Sequence, residues 1–185
     1  AATDEGEVTA RTVAPEAWGT FLTAVFDEWL RHDVGTVFVQ LFDAALAAWL
    51  GLPASMCLFA PTCGDAVALE HNGDVYACDH FVEPQHLIGN VTADDLGALV
   101  ASPQQRAFGR AKLDTLPGPC ETCEVRFACH GECPKNRFVP GADGEGNLNH
   151  LCAGYRRFFN HIDAPMRTMA GLLRQGRPAD EVMGL

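Results

Sequence analysis

Cys120-Glu-Thr-Cys123-Glu-Val-Arg-Phe-Ala-Cys129-His-Gly-Glu-Cys133 places four thiols within fourteen residues, at gaps of two, five and three. That density is hard to explain except by a metal centre. The remaining cysteines, Cys57, Cys63, Cys78 and Cys152, flank the stretch on both sides, and eight thiolates suffice for two tetrathiolate sites. The first reading is therefore an iron–sulfur or zinc protein.

Three accounts of the eight cysteines compete. A disulfide framework is disfavoured because the chain opens Ala-Ala-Thr-Asp-Glu-Gly-Glu, without a basic n-region or an apolar h-region. At 185 residues and 48% hydrophobic composition it can also bury a core without cystine staples. A pair of zinc sites has one good knuckle in Cys120-x2-Cys123, but zinc ribbons commonly supply two such pairs. Iron–sulfur ligands are often spread at uneven gaps, and spacing favours that account over zinc only modestly.

Composition bounds the partners. Thirteen basic against 24 acidic residues give a net charge of −11. Such a surface repels phosphate, so nucleic acid is not expected as a partner. The uncharged stretch Ala44 to Gly64 is interrupted by Pro53 and Pro61, so it reads as buried helix and irregular segment and no membrane span is expected. A cytoplasmic location is the expectation.

Pro15 to Asp33 is the clearest helix: Trp18, Phe21, Leu22, Val25, Phe26, Trp29 and Leu30 form one broad apolar face. Thr36 to Phe42 has strand-like composition, and a short helix from Asp43 to Leu50 is expected after it. Ala66 to Glu70 and Val75 to Asp79, around Asn72-Gly73, read as a β-hairpin with a two-residue turn. That register sets His71 opposite Asp74 and Val67 opposite Cys78, and brings Cys63 near Cys78. By strand alternation Asp79 should point away from the site that Cys78 enters. Helices are expected from about Ala93 (Thr92-x-x-Asp95) and from Pro103 (Ser102-Pro-Gln-Gln105). Pro140 to Asn147 reads as a glycine-rich surface loop. Tyr155, Phe158, Phe159 and Ile162 form a helical face that Met166, Met169 and Leu173 continue past an expected break at Pro165; the tail after Gln175 should fray.

The cysteine pattern Cys63-x9-Gly73-x4-Cys78, then Cys120-x2-Cys123-x5-Cys129-x3-Cys133, then Cys152 resembles the seven-cysteine SPASM module, the C-terminal extension of radical S-adenosylmethionine enzymes that modify peptides. The runs Gly73-Asp-Val-Tyr-Ala-Cys-Asp-His-Phe-Val82, Gly89-Asn90, Phe108-Gly109 and Cys133-Pro-Lys-Asn-Arg-Phe138 are similar to the anaerobic sulfatase-maturating enzymes in particular. Cys57 stands where those enzymes add an eighth ligand. The resemblance implies an α+β fold: a small irregular SPASM-type domain (37–185) with a β-hairpin, cluster-binding loops and flanking helices. Residues 1–36 would supply the last helix of a partial TIM barrel.

The resemblance further implies two [4Fe–4S] clusters, the first on Cys57, Cys63, Cys78 and Cys133, the second on Cys120, Cys123, Cys129 and Cys152. It makes Asp79 the catalytic base. The reaction implied is oxidation of a sulfatase cysteine or serine to Cα-formylglycine: a 5′-deoxyadenosyl radical removes a Cβ hydrogen, a base takes the thiol or hydroxyl proton, and an electron leaves through an auxiliary cluster. Carboxylate and thiol differ by about 4.6 pH units, about 6 kcal/mol uphill for proton transfer, so Asp79 should act only after hydrogen abstraction, helped by desolvation. The implied partners are an unfolded sulfatase polypeptide, a preceding radical SAM barrel holding S-adenosylmethionine and a third [4Fe–4S] cluster, and a reductant such as flavodoxin or ferredoxin.

The radical-generating Cys-x3-Cys-x2-Cys triplet does not occur in these 185 residues, so inactivity in isolation is expected. His80 could tune Asp79, and Lys135 and Arg137 could offset cluster charge; a solvated surface role is the competing reading for these. Two other functions stay open: the SPASM domain of a different peptide-modifying radical enzyme, and a non-catalytic metal-binding module.

Overall fold

Pro15 opens helix α1 (Pro15–His32), where its missing N–H falls among the unsatisfied donors of a first turn. In chain order there follow α2 (Gln40–Leu50), β1 (Ala68–Leu69), β2 (Asp74–Tyr76), β3 (Leu87–Asn90), α3 (Leu96–Val100), α4 (Pro103–Asp114), α5 (Gly118–Glu121), α6 (Arg126–Cys129), β4 (Arg137–Pro140), β5 (Asn147–Asn149) and α7 (Cys152–Arg174). The computed structural model describes residues 8–9, 11–64, 66–141 and 146–184. It divides into two units, residues 1–60 with 117–185, and residues 61–116. No closed barrel is present among the described residues.

The first unit is built on α1 and α7. Leu22, Phe26 and Trp29 are buried against Phe158, Phe159, Ile162, Met166 and Met169 in one core. Phe26 meets Phe42 edge-on at 5.1 Å between ring centres. The stripe is narrower than expected, since Phe21 and Val25 remain 57% and 37% exposed. The helices approach most closely at Gly19 and Gly154: a Cβ on Gly154 would lie 2.3 Å from the Pro15 carbonyl oxygen.

Several expectations are corrected here. Thr36 to Phe42 forms no strand; the Trp29 indole N–H donates to the Val37 carbonyl (2.7 Å), and α2 begins at Gln40. Phe42, Ala45 and Trp49 then recur at helical spacing on the buried side, which outweighs the β-branched composition ahead of them. Helix α7 does not break at Pro165. An interior proline costs about 3 kcal/mol, but Ile162, Met166 and Met169 are fully buried and contribute about 1.5–3 kcal/mol each, so packing holds the helix together. Leu172, not Leu173, completes its inner face. The tail is ordered: Ala179–Gly184 forms a 3-10 turn, with Ala179 and Val182 against the core.

Trp49 Nε1 donates to Asp163 Oδ1 at 2.9 Å, and the Arg167 guanidinium together with that indole holds the Asp163 carboxyl below its ordinary range. Asp163→Ala strands a nearly buried donor and should cost about 1 kcal/mol in denaturant unfolding. Because the folded pKa is depressed, this contribution is full above the unfolded value and fades as pH falls through the folded one. The gap between wild type and variant should therefore close in strongly acid solution.

In the second unit, residues 61–116, β1, β2 and β3 form an antiparallel sheet in that order. The hairpin exists, but its register differs by one residue: Ala68 pairs with Tyr76 and Leu69 with Val75. The connection has three residues rather than two. The Gly73 N–H bonds the Glu70 carbonyl, the Glu70 N–H bonds Asp74, and Gly73 takes φ 89. Asn-Gly serves this bulged turn as readily as the two-residue one. A one-residue slip exchanges faces, so Val75 and Ala77 point inward while Tyr76 is half-buried. Asp95, not Thr92, caps α3 by accepting from Ala98 N–H, and Ser102 caps α4 as expected. Strand β3 was not expected, nor were β4 and β5, which pair across the glycine-rich loop in the first unit. Residues 142–145 of that loop lie outside the described residues.

Candidate metal centre

Cys120 sits on the single turn of α5, Cys123 just after it, Cys129 at the end of α6 and Cys152 at the start of α7. These four thiols line one narrow cavity. Its wall also includes Tyr155 and three arginines, Arg126, Arg137 and Arg156. All eight cysteines of the chain are free thiols.

Burial opposes ionisation in this cavity. It pushes the Cys129 thiol up to about 12, and raises Cys120 and Cys152 as well; Arg137 pulls Cys120 partly back. Four soft donors, three of which resist holding charge alone, are suited to a cation that neutralises them as their protons leave. The residues present therefore fit a tetrathiolate iron or zinc site.

The other four cysteines are divided between the two units. Cys57 opens a 3-10 turn, Cys57–Phe59, and is exposed, and Cys133 is 8% exposed at the end of the cysteine-rich stretch. Within the second unit, Cys63 and Cys78 are held by α4. The Cys63 N–H donates to the Gly109 carbonyl at 3.0 Å, and a Cβ on Gly109 would come within 2.6 Å of the Cys63 oxygen. Gln105, 2% exposed, donates through one amide nitrogen to Gly64 (3.2 Å) and Ala77 (3.0 Å), the neighbours of Cys63 and Cys78. From sequence alone Gln105 stands out only as part of a helix cap. Gln105 and Lys112, seven positions apart on α4, are both buried, so this helix faces something other than a plain apolar core.

Asp79 is exposed and lies in the turn Cys78–Phe81, where the Phe81 N–H bonds the Cys78 carbonyl. It does not point away from Cys78. The strand ends at Tyr76, so alternation no longer governs, and the Cys78 thiol donates to Asp79 Oδ1 at 3.2 Å. That bond, with His80 beside it, lowers the Asp79 carboxyl rather than raising it. The expected gain in basicity from burial is therefore absent in this chain. Ligand atoms of Cys78, Asp79 and His80 lie within 4.8 Å of one another.

Residues 57–124 match the SPASM iron–sulfur cluster-binding domain. Over 98% of its length the chain is 46% identical to a serine-type anaerobic sulfatase-maturating enzyme from Bacteroides thetaiotaomicron, of which it covers 44%. Over 84% of its length it is 34% identical to the serine-type enzyme of Klebsiella pneumoniae, covering 38%. A solved structure, native anSMEcpe with bound AdoMet and Kp18Cys peptide, superposes with a TM-score of 0.76 at 25% identity, over 89% of this chain and 46% of that one. Over nearly its whole length the chain is similar to the anaerobic sulfatase-maturating enzymes, and it has the fold of their C-terminal region. It spans less than half the length of these relatives.

Proposed function

We propose that this chain is the auxiliary-cluster part of a radical S-adenosylmethionine oxidoreductase that converts a sulfatase serine or cysteine to Cα-formylglycine. The observation that carries the reading is the meeting of Cys120, Cys123, Cys129 and Cys152 on one cavity, in a homologue of sulfatase-maturating enzymes. These four would hold one [4Fe–4S] cluster, and Cys57, Cys63, Cys78 and Cys133 the other. A bound cluster of this type supplies a one-electron acceptor. The serine-type names of both relatives favour serine as the residue modified.

Within this chain, the protein's own part in the chemistry falls to Asp79. It is solvent-facing and so open to a peptide, and it would take the hydroxyl or thiol proton once the Cβ hydrogen has gone. Residues 1–36 would close a preceding barrel that binds S-adenosylmethionine and a third cluster, and residues 37–185 would form the SPASM domain. Phe21, Val25 and Val37, 57%, 37% and 48% exposed, line one groove and support a large apolar partner on that side of the first unit. A flavodoxin or ferredoxin would supply electrons, and the setting would be cytoplasmic; no described helix is long and apolar enough to cross a membrane.

Iron and sulfide counts on anaerobically reconstituted protein test the reading. About eight irons per chain are expected, falling to about four in Cys152→Ala, with visible absorption that zinc does not give. A colourless zinc-loaded protein would replace this reading with a non-catalytic metal module. The 185-residue polypeptide by itself should produce no 5′-deoxyadenosine from S-adenosylmethionine.

A further inference from the structure

His130, Gly131 and Glu132, between Cys129 and Cys133, take φ values of 49, 71 and 55. Three successive left-handed residues, only one of them glycine, cost roughly 1–2 kcal/mol for each that carries a Cβ. Such a turn persists only if its surroundings fix it, and two side chains do so. The Glu132 carboxylate, 4% exposed, accepts from the Cys133 N–H (2.5 Å), from Asn149 Nδ2 (2.5 Å) and from Asn136 Nδ2 (3.0 Å). Arg137 spans the carbonyls of all three turn residues. Its Nε donates to Gly131 (2.9 Å) and its Nη2 to His130 (3.0 Å) and Glu132 (3.2 Å).

Arg137 also lines the cavity of the four thiols, whereas Glu132 does not. The other two arginines there are less committed. Arg156 is paired with Glu124 on the surface, and Arg126 reaches one backbone carbonyl at 3.4 Å. A guanidinium held by three carbonyls is a fixed charge, and it is half-buried, where water screens it less.

We infer that Arg137 is a positioning residue with two separable tasks: its planar fork locks the left-handed turn joining Cys129 to Cys133, and its charge sets the redox poise of the Cys120–Cys123–Cys129–Cys152 site. The inference rests on the reading of that cavity as an iron–sulfur site. A fixed cation on the cavity wall stabilises the more negative, reduced state and so raises the potential. Lysine would keep the charge and lose the fork; glutamine would lose both.

Anaerobically reconstituted wild type, Arg137→Gln and Arg137→Lys are compared for iron content, rate of iron loss to a chelator, and midpoint in an EPR-monitored redox titration. Arg137→Gln is expected to lose iron about tenfold faster than wild type. At a fixed potential its ratio of reduced to oxidised cluster should be about tenfold lower, a midpoint drop of about 59 mV for one electron. Arg137→Lys should keep the wild-type midpoint and still lose iron faster. Wild-type behaviour of Arg137→Gln in both measurements overturns the inference. If that variant does not fold, Arg137→Lys decides: a lowered midpoint, or iron retention equal to wild type, is the contrary result. Equal iron in wild type and Cys152→Ala would refute the cavity as a cluster site, and this inference with it.

Discussion

Asp79→Asn is expected to lower formylglycine formation by the complete enzyme by about 10²–10⁴-fold, the range for loss of a positioned base, while iron content and production of 5′-deoxyadenosine persist. Asparagine keeps the size and the hydrogen-bonding of the side chain but cannot take a proton. A lost cluster or lost radical chemistry would point to a structural role, and full turnover would end the assignment. A protonated Cys78 makes Asp79 a weak base, because its thiol donates to the carboxylate and holds its proton affinity down. That donor exists only while Cys78 carries its proton. As a metal ligand Cys78 is a thiolate, the leading cause of the depression disappears, and a negative sulfur then sits beside the carboxylate. Loading the first site should thus move Asp79 towards a stronger base, the direction that abstraction of a serine or cysteine proton requires.

Gly154→Ala is the second change with a large expected effect, and its sign is a contest. Glycine inside a helix costs about 1 kcal/mol relative to alanine, so the intrinsic term favours the variant. Against it, the new methyl would meet the Pro15 carbonyl oxygen at 2.3 Å and the Gly19 nitrogen at 3.0 Å, both backbone atoms that cannot swing aside. Overpacking of this kind costs about 1–3 kcal/mol, and more where a helix must shift, so net destabilisation is expected. Helix α7 begins at Cys152, two residues before the clash, so displacement should reach the thiol cavity as well. Thermal unfolding should move down by several degrees. Iron bound through Cys152 should fall relative to an exposed control such as Gly176→Asn, whose position has φ 72 and open space around it. A more stable variant with full iron would show that the helices yield without cost.

What the sequence disclosed was set by local chemistry. Helix α1, the aromatic and methionine face of α7, the Ser102 cap and the presence of the hairpin all follow from spacing within a few residues. The cysteine cluster was legible for the same reason. What escaped it depends on partners far along the chain or on a choice between two local minima. Strands β3, β4 and β5 have three or four residues each and no alternation to mark them. The hairpin register turned on whether Asn72-Gly73 closes a two-residue or a bulged turn, and composition suits both. Pro165 reads as a breaker until the fully buried side chains on either side of it are counted. Gln105 and Arg137 act by bonding backbone carbonyls, so no side-chain pattern announces them.

Because α1 packs on α7, helices more than a hundred residues apart share one core, while residues 61–116 form a continuous stretch between them. During synthesis the middle segment can mature as soon as it leaves the ribosome, but α1 lacks its main docking surface until α7 is translated. Its aromatic side must wait, exposed to chaperones, for about a hundred residues. Insertion of a cluster that needs Cys152 is thereby deferred until α7 is translated, and a stop codon shortly before that helix would leave α1 without its core.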